Sequence, residues 1–271
     1  MNDAMTERDI EAWQHTTWDD IAGNRWLKTY LQAMIRSIGG PQRGRGINTL
    51  VLGESRSGKT STIEFAMKVL TCWNLDLERL LPCNQCQPCV QHQGRYELVE
   101  IDQILWGGPN QDLCFVPING NDIAQPALEA EIQKAAGRWD LRWIYYIDEI
   151  QGLVRKHLDH MLFKAVEQHK HITWIVSTAT TAGLDPMFRN RFTEVPTELP
   201  GVGELALLLA KRCRHPSINV TWDDDRTLVR LAERSRRLTG LALKCLAQAK
   251  MFGGHLSREL VENYPFDQMA L

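Results

Sequence analysis

Apolar positions along this chain alternate between short continuous runs and helical spacing. Ile47 to Leu52 is a short apolar run, Trp143-Ile144-Tyr145-Tyr146-Ile147 is continuous, and Ile172-Thr173-Trp174-Ile175-Val176 is another. Strands apolar at nearly every position are what a parallel sheet covered on both faces requires. Tyr96 to Asp102 alternates and reads as a further strand. Helical spacing covers Trp26 to Ile38, Ser61 to Leu70, Ala124 to Gly137 and His157 to Gln168. Residues 105–121, with Gly107-Gly108-Pro109-Asn110, read as a loop. Strand and helix in alternation predict an α/β fold, a parallel sheet with helices on both faces.

From Gly201 the strands stop, and helical runs follow at 204–214, 226–234, 240–252 and 256–263. A composition shift at Pro196 to Pro200 marks a boundary. The expected organisation is a loose arm at 1–17, an α/β domain at 18–198 and a small helical domain at 199–271. Gly39 to Gly46 is a breaker-rich link into the first core strand.

Chemistry enters directly after that strand. Gly53-Glu54-Ser55-Arg56-Ser57-Gly58-Lys59-Thr60 matches G-x-x-x-x-G-K-[ST] and opens the helical run from Ser61. Strand, glycine-rich loop and helix in this order turn backbone N–H groups toward a phosphate chain at a helix N-terminus. Lys59 reaches the β- and γ-phosphates, and the Thr60 hydroxyl binds Mg²⁺. The apolar run 143–147 ends in Asp148-Glu149, carboxylates at the strand edge where open α/β sheets bind ligands. Asp148 is expected to hold the Mg²⁺ shell and Glu149 to orient or deprotonate the attacking water. Together these predict ATP binding and hydrolysis.

Cysteine usage adds a metal. Cys72 is followed by Cys83-x-x-Cys86-x-x-Cys89. Two interlocked C-x-x-C steps with a fourth cysteine upstream suit a tetrahedral, structural zinc site, with His92 able to stand in for one sulfur. Cys114, Cys213 and Cys245 stand alone and read as buried small side chains. At 44% hydrophobic the 271-residue chain can bury a full core. No stretch of about 18 apolar residues is present and the first ten residues are polar, so a soluble cytoplasmic protein with no membrane partner is expected. A formal net charge of −2 argues against a strongly basic nucleic-acid coat.

These residues resemble one family over positions 17 to 260: the AAA+ ATPases of bacterial DNA polymerase clamp loaders, of the zinc-bearing gamma/tau type. Thr17-Trp18-Asp19-Asp20-Ile21-Ala22-Gly23-Asn24 looks like the family's entry motif, whose backbone packs near the adenine; Asp19 and Ile21 are its candidates here. The P-loop, the four cysteines directly after its helix, and the segment 145–168 match in placement. The resemblance implies a five-stranded parallel sheet with an inserted zinc module at 72–92 and a helical lid. It implies that Thr178, or alternatively Ser177, contacts the γ-phosphate or the attacking water. It also implies an arginine finger acting on a neighbouring subunit, Arg191 first and Arg189 second, and therefore an oligomer.

Asn190-Arg191-Phe192 departs from the family's Ser-Arg-Cys, and is closer to replication-initiator and junction-helicase ATPases. In the lid, Leu243 falls where an arginine is usual, leaving Arg237 or Lys244 to take its place. The family's collar domain would follow where this sequence stops, so assembly is expected to rest on the ATPase and lid interfaces or on other proteins. Implied cofactors are ATP, Mg²⁺ and Zn²⁺; implied partners are DNA, further AAA+ subunits, and a protein such as a sliding clamp, helicase or transposase. Three roles fit: a clamp-loader-like motor, an ATP-dependent recruitment switch, and a non-hydrolysing stator, against which the intact Lys59, Thr60, Asp148 and Glu149 count.

Overall fold

The computed structural model describes residues 15–39, 47–92, 105–108, 112–216 and 218–269. Most of the predicted arm and link, and the predicted strand Tyr96–Asp102, lie outside these residues. Elements in chain order are α1 (Arg25–Gly39), β1 (Thr49–Leu52), α2 (Lys59–Thr71), α3 (Gln87–Gln91), β2 (Leu105–Gly107), β3 (Leu113–Asn119), α4 (Gln125–Ala136) and β4 (Arg142–Asp148). There follow α5 (Gln151–Arg155), α6 (Asp159–Gln168), β5 (Ile172–Thr178), α7 (Pro186–Arg189) and β6 (Thr193–Pro196). The C-terminal part holds α8 (Val202–Cys213), β7 (Thr221–Trp222), α9 (Asp225–Arg234), α10 (Thr239–Met251), β8 (His255–Leu256), α11 (Arg258–Asn263) and α12 (Phe266–Met269).

The main sheet has the order β2-β3-β4-β5-β1-β6. Five of its strands, β3-β4-β5-β1-β6, run parallel, as expected. β2 is added antiparallel at the edge, with Trp106 opposite Cys114. Strand alternation divides the core cleanly. Leu113, Phe115, Ile144, Tyr146 and Ile175 face α1 and α2, whereas Cys114, Val116, Trp143, Tyr145 and Trp174 face α4 and α6. Burial on both faces explains why these strands read as continuous apolar runs.

Three expectations are corrected. The described residues of 105–121 are not a loop: 105–107 form β2 and 113–119 form β3, which is buried along nearly its whole length. The helix expected from His157 begins at Asp159, because His157 adopts φ +56° and separates α6 from the short α5. Strands also recur after Gly201, as the two-residue parallel pair β7 and β8. The helices there form their own core from Leu205, Leu209, Leu231, Leu241, Leu246 and Val261.

Candidate nucleotide and metal sites

The P-loop folds back between β1 and the first turn of α2. Gly53 lies so near Thr197 that a Cβ on it would meet the Thr197 Oγ1 at 1.6 Å, and Gly58 sits at φ +86°. Neither position admits a side chain without displacement. Lys59 Nζ donates to the Gly53 and Glu54 carbonyls, both at 2.8 Å, drawing the loop around its ammonium. Burial lowers the pKa of this ammonium below the ordinary lysine value.

β4 delivers the carboxylates. Thr60 Oγ1 donates to Asp148 Oδ2 at 2.9 Å, and Ser177 Oγ at the end of β5 donates to Asp148 Oδ1. Tyr146, two residues earlier and thus on the same strand face as Asp148, reaches Thr60 Oγ1 at 3.4 Å and Ser177 Oγ at 3.3 Å. A hydroxyl and a carboxylate held together in this way form the hard oxygen set that Mg²⁺ requires, so the residues fit that ion. Glu149 follows at φ +57°, and its Oε2 accepts a hydrogen bond from Gln151 Nε2. Gln151 Oε1 in turn takes the Thr178 hydroxyl at 2.7 Å.

A cavity of about 250 Å³ opens above these groups. Ser55, Arg56, Gly58, Lys59, Thr60 and Ser61 line it from the P-loop and the first turn of α2, Glu149 from just past β4, and Thr239, Gly240 and Leu243 from α10. The structure therefore brings Lys59, Thr60, Asp148 and Glu149 to one place. Thr178 reaches that place only through Gln151, and Ser177 lies under Asp148.

Other candidates stand apart from the cavity. Asp19 is exposed, and the Ile21 carbonyl is occupied by Lys28 Nζ at 3.0 Å. In the same segment it is Asn24, not singled out in the sequence, that touches the loop: its Nδ2 donates to Ser57 O at 3.0 Å and to Thr62 Oγ1 at 3.1 Å, while its Oδ1 accepts from Glu198 N. Arg191 pairs with Glu167 at 2.6 Å beside the Phe163 ring, and Arg189 pairs with Glu194 at 2.7 Å. Both are partly exposed on a surface away from the nucleotide cavity, as an element acting on another chain would have to be. Arg237 is exposed in the turn before α10 and does not line the cavity, whereas Leu243 does.

At the far end of α2 the four predicted thiols converge. Cys72 caps that helix, and the sulfurs of Cys72, Cys83, Cys86 and Cys89 all lie within 4.8 Å of one another. A tetrahedral Zn–S shell places its sulfurs about 3.8 Å apart. The knuckle is already wound for this: Cys83 N donates to Cys72 Sγ and Cys86 N to Cys83 Sγ, with Asn84 turning the chain at φ +59°. Hydrogen bonding from Cys89 pulls the Cys72 thiol down to about 5, favouring the thiolate that a metal binds. The residues fit a structural zinc. His92 is not a fifth candidate, since its Nε2 meets Thr71 Oγ1 at 2.9 Å and its ring stacks on Phe115.

Behind α2 a buried charged joint ties these parts to the C-terminal helices. Asp20, 2% exposed, accepts from the backbone N–H and hydroxyl groups of Thr16 and Thr17 and from Lys211 Nζ on α8. Burial alone would raise its pKa; these donors outweigh that and hold the carboxyl well below the usual range. Lys68 Nζ, also buried, donates to the His15 carbonyl at 3.2 Å.

This sheet order, with a P-loop after β1 and acidic residues after β4, is the AAA+ P-loop α/β fold. Solved structures of RuvB from Thermotoga maritima share it. One, described as a Holliday junction branch migration motor, is 16% identical with a TM-score of 0.59; two point variants give 16% and 0.58, and 15% and 0.60. Each covers 92% of this chain; 70% of the RuvB chain is covered in the first two and 72% in the third. No protein-family model and no curated protein sequence matches the chain. Among the described residues no helix is long and apolar enough to cross a membrane.

Proposed function

We propose that this chain is an ATP-hydrolysing subunit of an oligomeric assembly that acts on DNA, with a nucleotide-binding domain over 18–198 and a helical lid over 199–271. The observation that carries the reading is the convergence of Lys59, Thr60, Asp148 and Glu149 on one cavity that α10 closes from the other side. Mg²⁺ held by Thr60 and Asp148 would neutralise charge on the β- and γ-phosphates. Lys59 leaves the loop carbonyls to meet the phosphates, and Glu149, steadied by Gln151 and Thr178, orients the attacking water.

The DNA-acting part rests on two supports. One RuvB structure of the same fold is described as a Holliday junction branch migration motor. The thiol cluster capping the P-loop helix matches the placement of the zinc module in the clamp-loader resemblance. Arg191, paired with Glu167 on the surface, is the finger in this reading, offered to a neighbour's nucleotide. Zn²⁺ sits in the four thiols and holds the module folded.

The test is ATP turnover by the purified chain, with and without double-stranded, single-stranded and branched DNA, followed by native mass with ATP. DNA-stimulated turnover by a defined oligomer supports the reading. No turnover under any condition overturns it, and ATP-dependent coating of DNA with slow turnover would favour the recruitment switch instead.

A further inference from the structure

The P-loop carries a side chain that cradling phosphates with backbone N–H groups does not call for. Arg56 stands at φ +66°, the left-handed region where a Cβ is disfavoured. Non-glycine residues persist there when surrounding structure holds them, and such outliers cluster at functional sites. What holds Arg56 is the start of α10. Its carbonyl accepts the Gly240 N–H at 3.4 Å, and a Cβ on Gly240 would lie 3.0 Å from the Arg56 Cβ and 3.4 Å from its Cγ. The arginine stem and the first turn of α10 are thus in direct contact across the mouth of the nucleotide cavity.

The polar ends on both sides of this contact are unmatched. Arg56 Nη1 is buried and has no hydrogen-bond partner among the described residues, and the same holds for Thr239 Oγ1. Leu238, the N-cap of α10, supplies no side-chain bond to the first N–H groups of that 13-residue helix. Buried unmatched donors are costly, and they converge here on a cavity wall. Together they complement an anionic oxygen. The residues that α10 contributes to the cavity, Thr239, Gly240 and Leu243, include no cation.

We propose that Arg56 is the phosphate-sensing cation of this pocket, and that it reports a bound nucleotide to α10. The positive charge sits on the loop rather than on the helix that closes. Gly240 lets the helix approach the arginine stem, and Thr239 with the α10 N-terminus completes the shell around a phosphate oxygen. Nucleotide then favours the closed arrangement because the guanidinium and the α10 donors are both satisfied only when α10 lies against Arg56. This inference rests on the ATPase reading above and deepens it.

The experiment uses the full chain with Mg²⁺-ATP and Mg²⁺-ADP, comparing wild type, Arg56→Gly and Arg56→Lys. Glycine is the informative replacement, since it relieves the left-handed conformation and should leave thermal stability equal to or above wild type. Two quantities are read: nucleotide Kd, and amide hydrogen exchange at 239–243 and at 57–61. In the wild type, nucleotide slows exchange in both segments. Arg56→Gly should weaken nucleotide binding about tenfold and, at saturating nucleotide, lose the slowing at 239–243 while keeping it at 57–61. Arg56→Lys should fall between, keeping charge but losing the fork. Wild-type affinity with full slowing at 239–243 in Arg56→Gly overturns the inference alone. Failure of the wild type to bind either nucleotide overturns the ATPase reading and the inference with it.

Discussion

Thr60 and Asp148, 88 positions apart in the chain, are joined by a 2.9 Å hydrogen bond at the floor of the nucleotide cavity. The bond sets the first residue of the P-loop helix after Lys59 against the last residue of β4, with Tyr146 and Ser177 holding both oxygens from beneath. Mg²⁺ bound here would be held by these two oxygens, the Thr60 hydroxyl keeping its proton and turning it away from Asp148.

The cavity predicts separable effects on binding and chemistry. Lys59→Ala should abolish nucleotide binding, because the ammonium is the cation that the P-loop carbonyls hold inside the loop. Glu149→Gln should retain binding and slow hydrolysis by about 10²-fold or more. Equilibrium nucleotide binding and steady-state phosphate release check both. Normal turnover by Glu149→Gln would remove the carboxylate from the mechanism.

How much of this was legible in the sequence depended on distance along the chain. The P-loop and the thiol module are local patterns whose residue spacing is their geometry. Asp148-Glu149 was legible because a continuous apolar run pointed to it. Asn24 was not, since its partners Ser57, Thr62 and Glu198 lie 33, 38 and 174 residues away and nothing local marks it. Tyr146 was concealed by its own hydrophobicity: it reads as core, and only the two-residue period linking it to Asp148 signals its hydroxyl. β3 was obscured by the breakers Gly107, Gly108, Pro109 and Asn110 just ahead of it, although its own residues Leu113 to Ile118 are buried.

The thiol cluster predicts a stoichiometric metal. Purified protein should carry about one zinc per chain, and Cys86→Ser with Cys89→Ser should lose it together with the ordered structure of 72–92. Metal analysis and limited proteolysis read this out. Four freely titrating thiols in metal-free, fully folded protein would refute it.

Arg191→Ala should leave ATP affinity of the isolated chain nearly unchanged and lower turnover by about 10³-fold. Mixing it with Lys59→Ala should restore part of the activity, because an intact pocket can then meet an intact arginine across one interface. Loss of the Glu167 pair is expected to cost little stability, as both partners are substantially exposed. Turnover independent of protein concentration, with no rescue on mixing, would withdraw the homo-oligomer.

Acid should loosen the buried joint at Asp20. Its carboxyl is held below the ordinary 3.8, so below that value the unfolded chain binds more protons than the folded one. The stabilisation from this group is therefore whole above about pH 5 and is lost as pH falls. His15, lowered to about 3 by burial and the nearby Arg212, acts in the same direction from 6.5 downward. Asp20→Asn should cost about 2 kcal/mol at pH 7 and progressively less at lower pH, as measured by urea unfolding. A cost independent of pH between 3 and 7 would contradict this account.

Helix α2 begins at Lys59 and is capped at Cys72. Thirteen residues make a rod about 20 Å long that does not stretch. The sulfur cluster and the phosphate cradle are its two anchorages, so a shift at one end arrives at the other as displacement, without any chain of touching side chains between them. The four sulfurs are therefore held at a fixed distance from Lys59 and Thr60, at opposite ends of one rigid element.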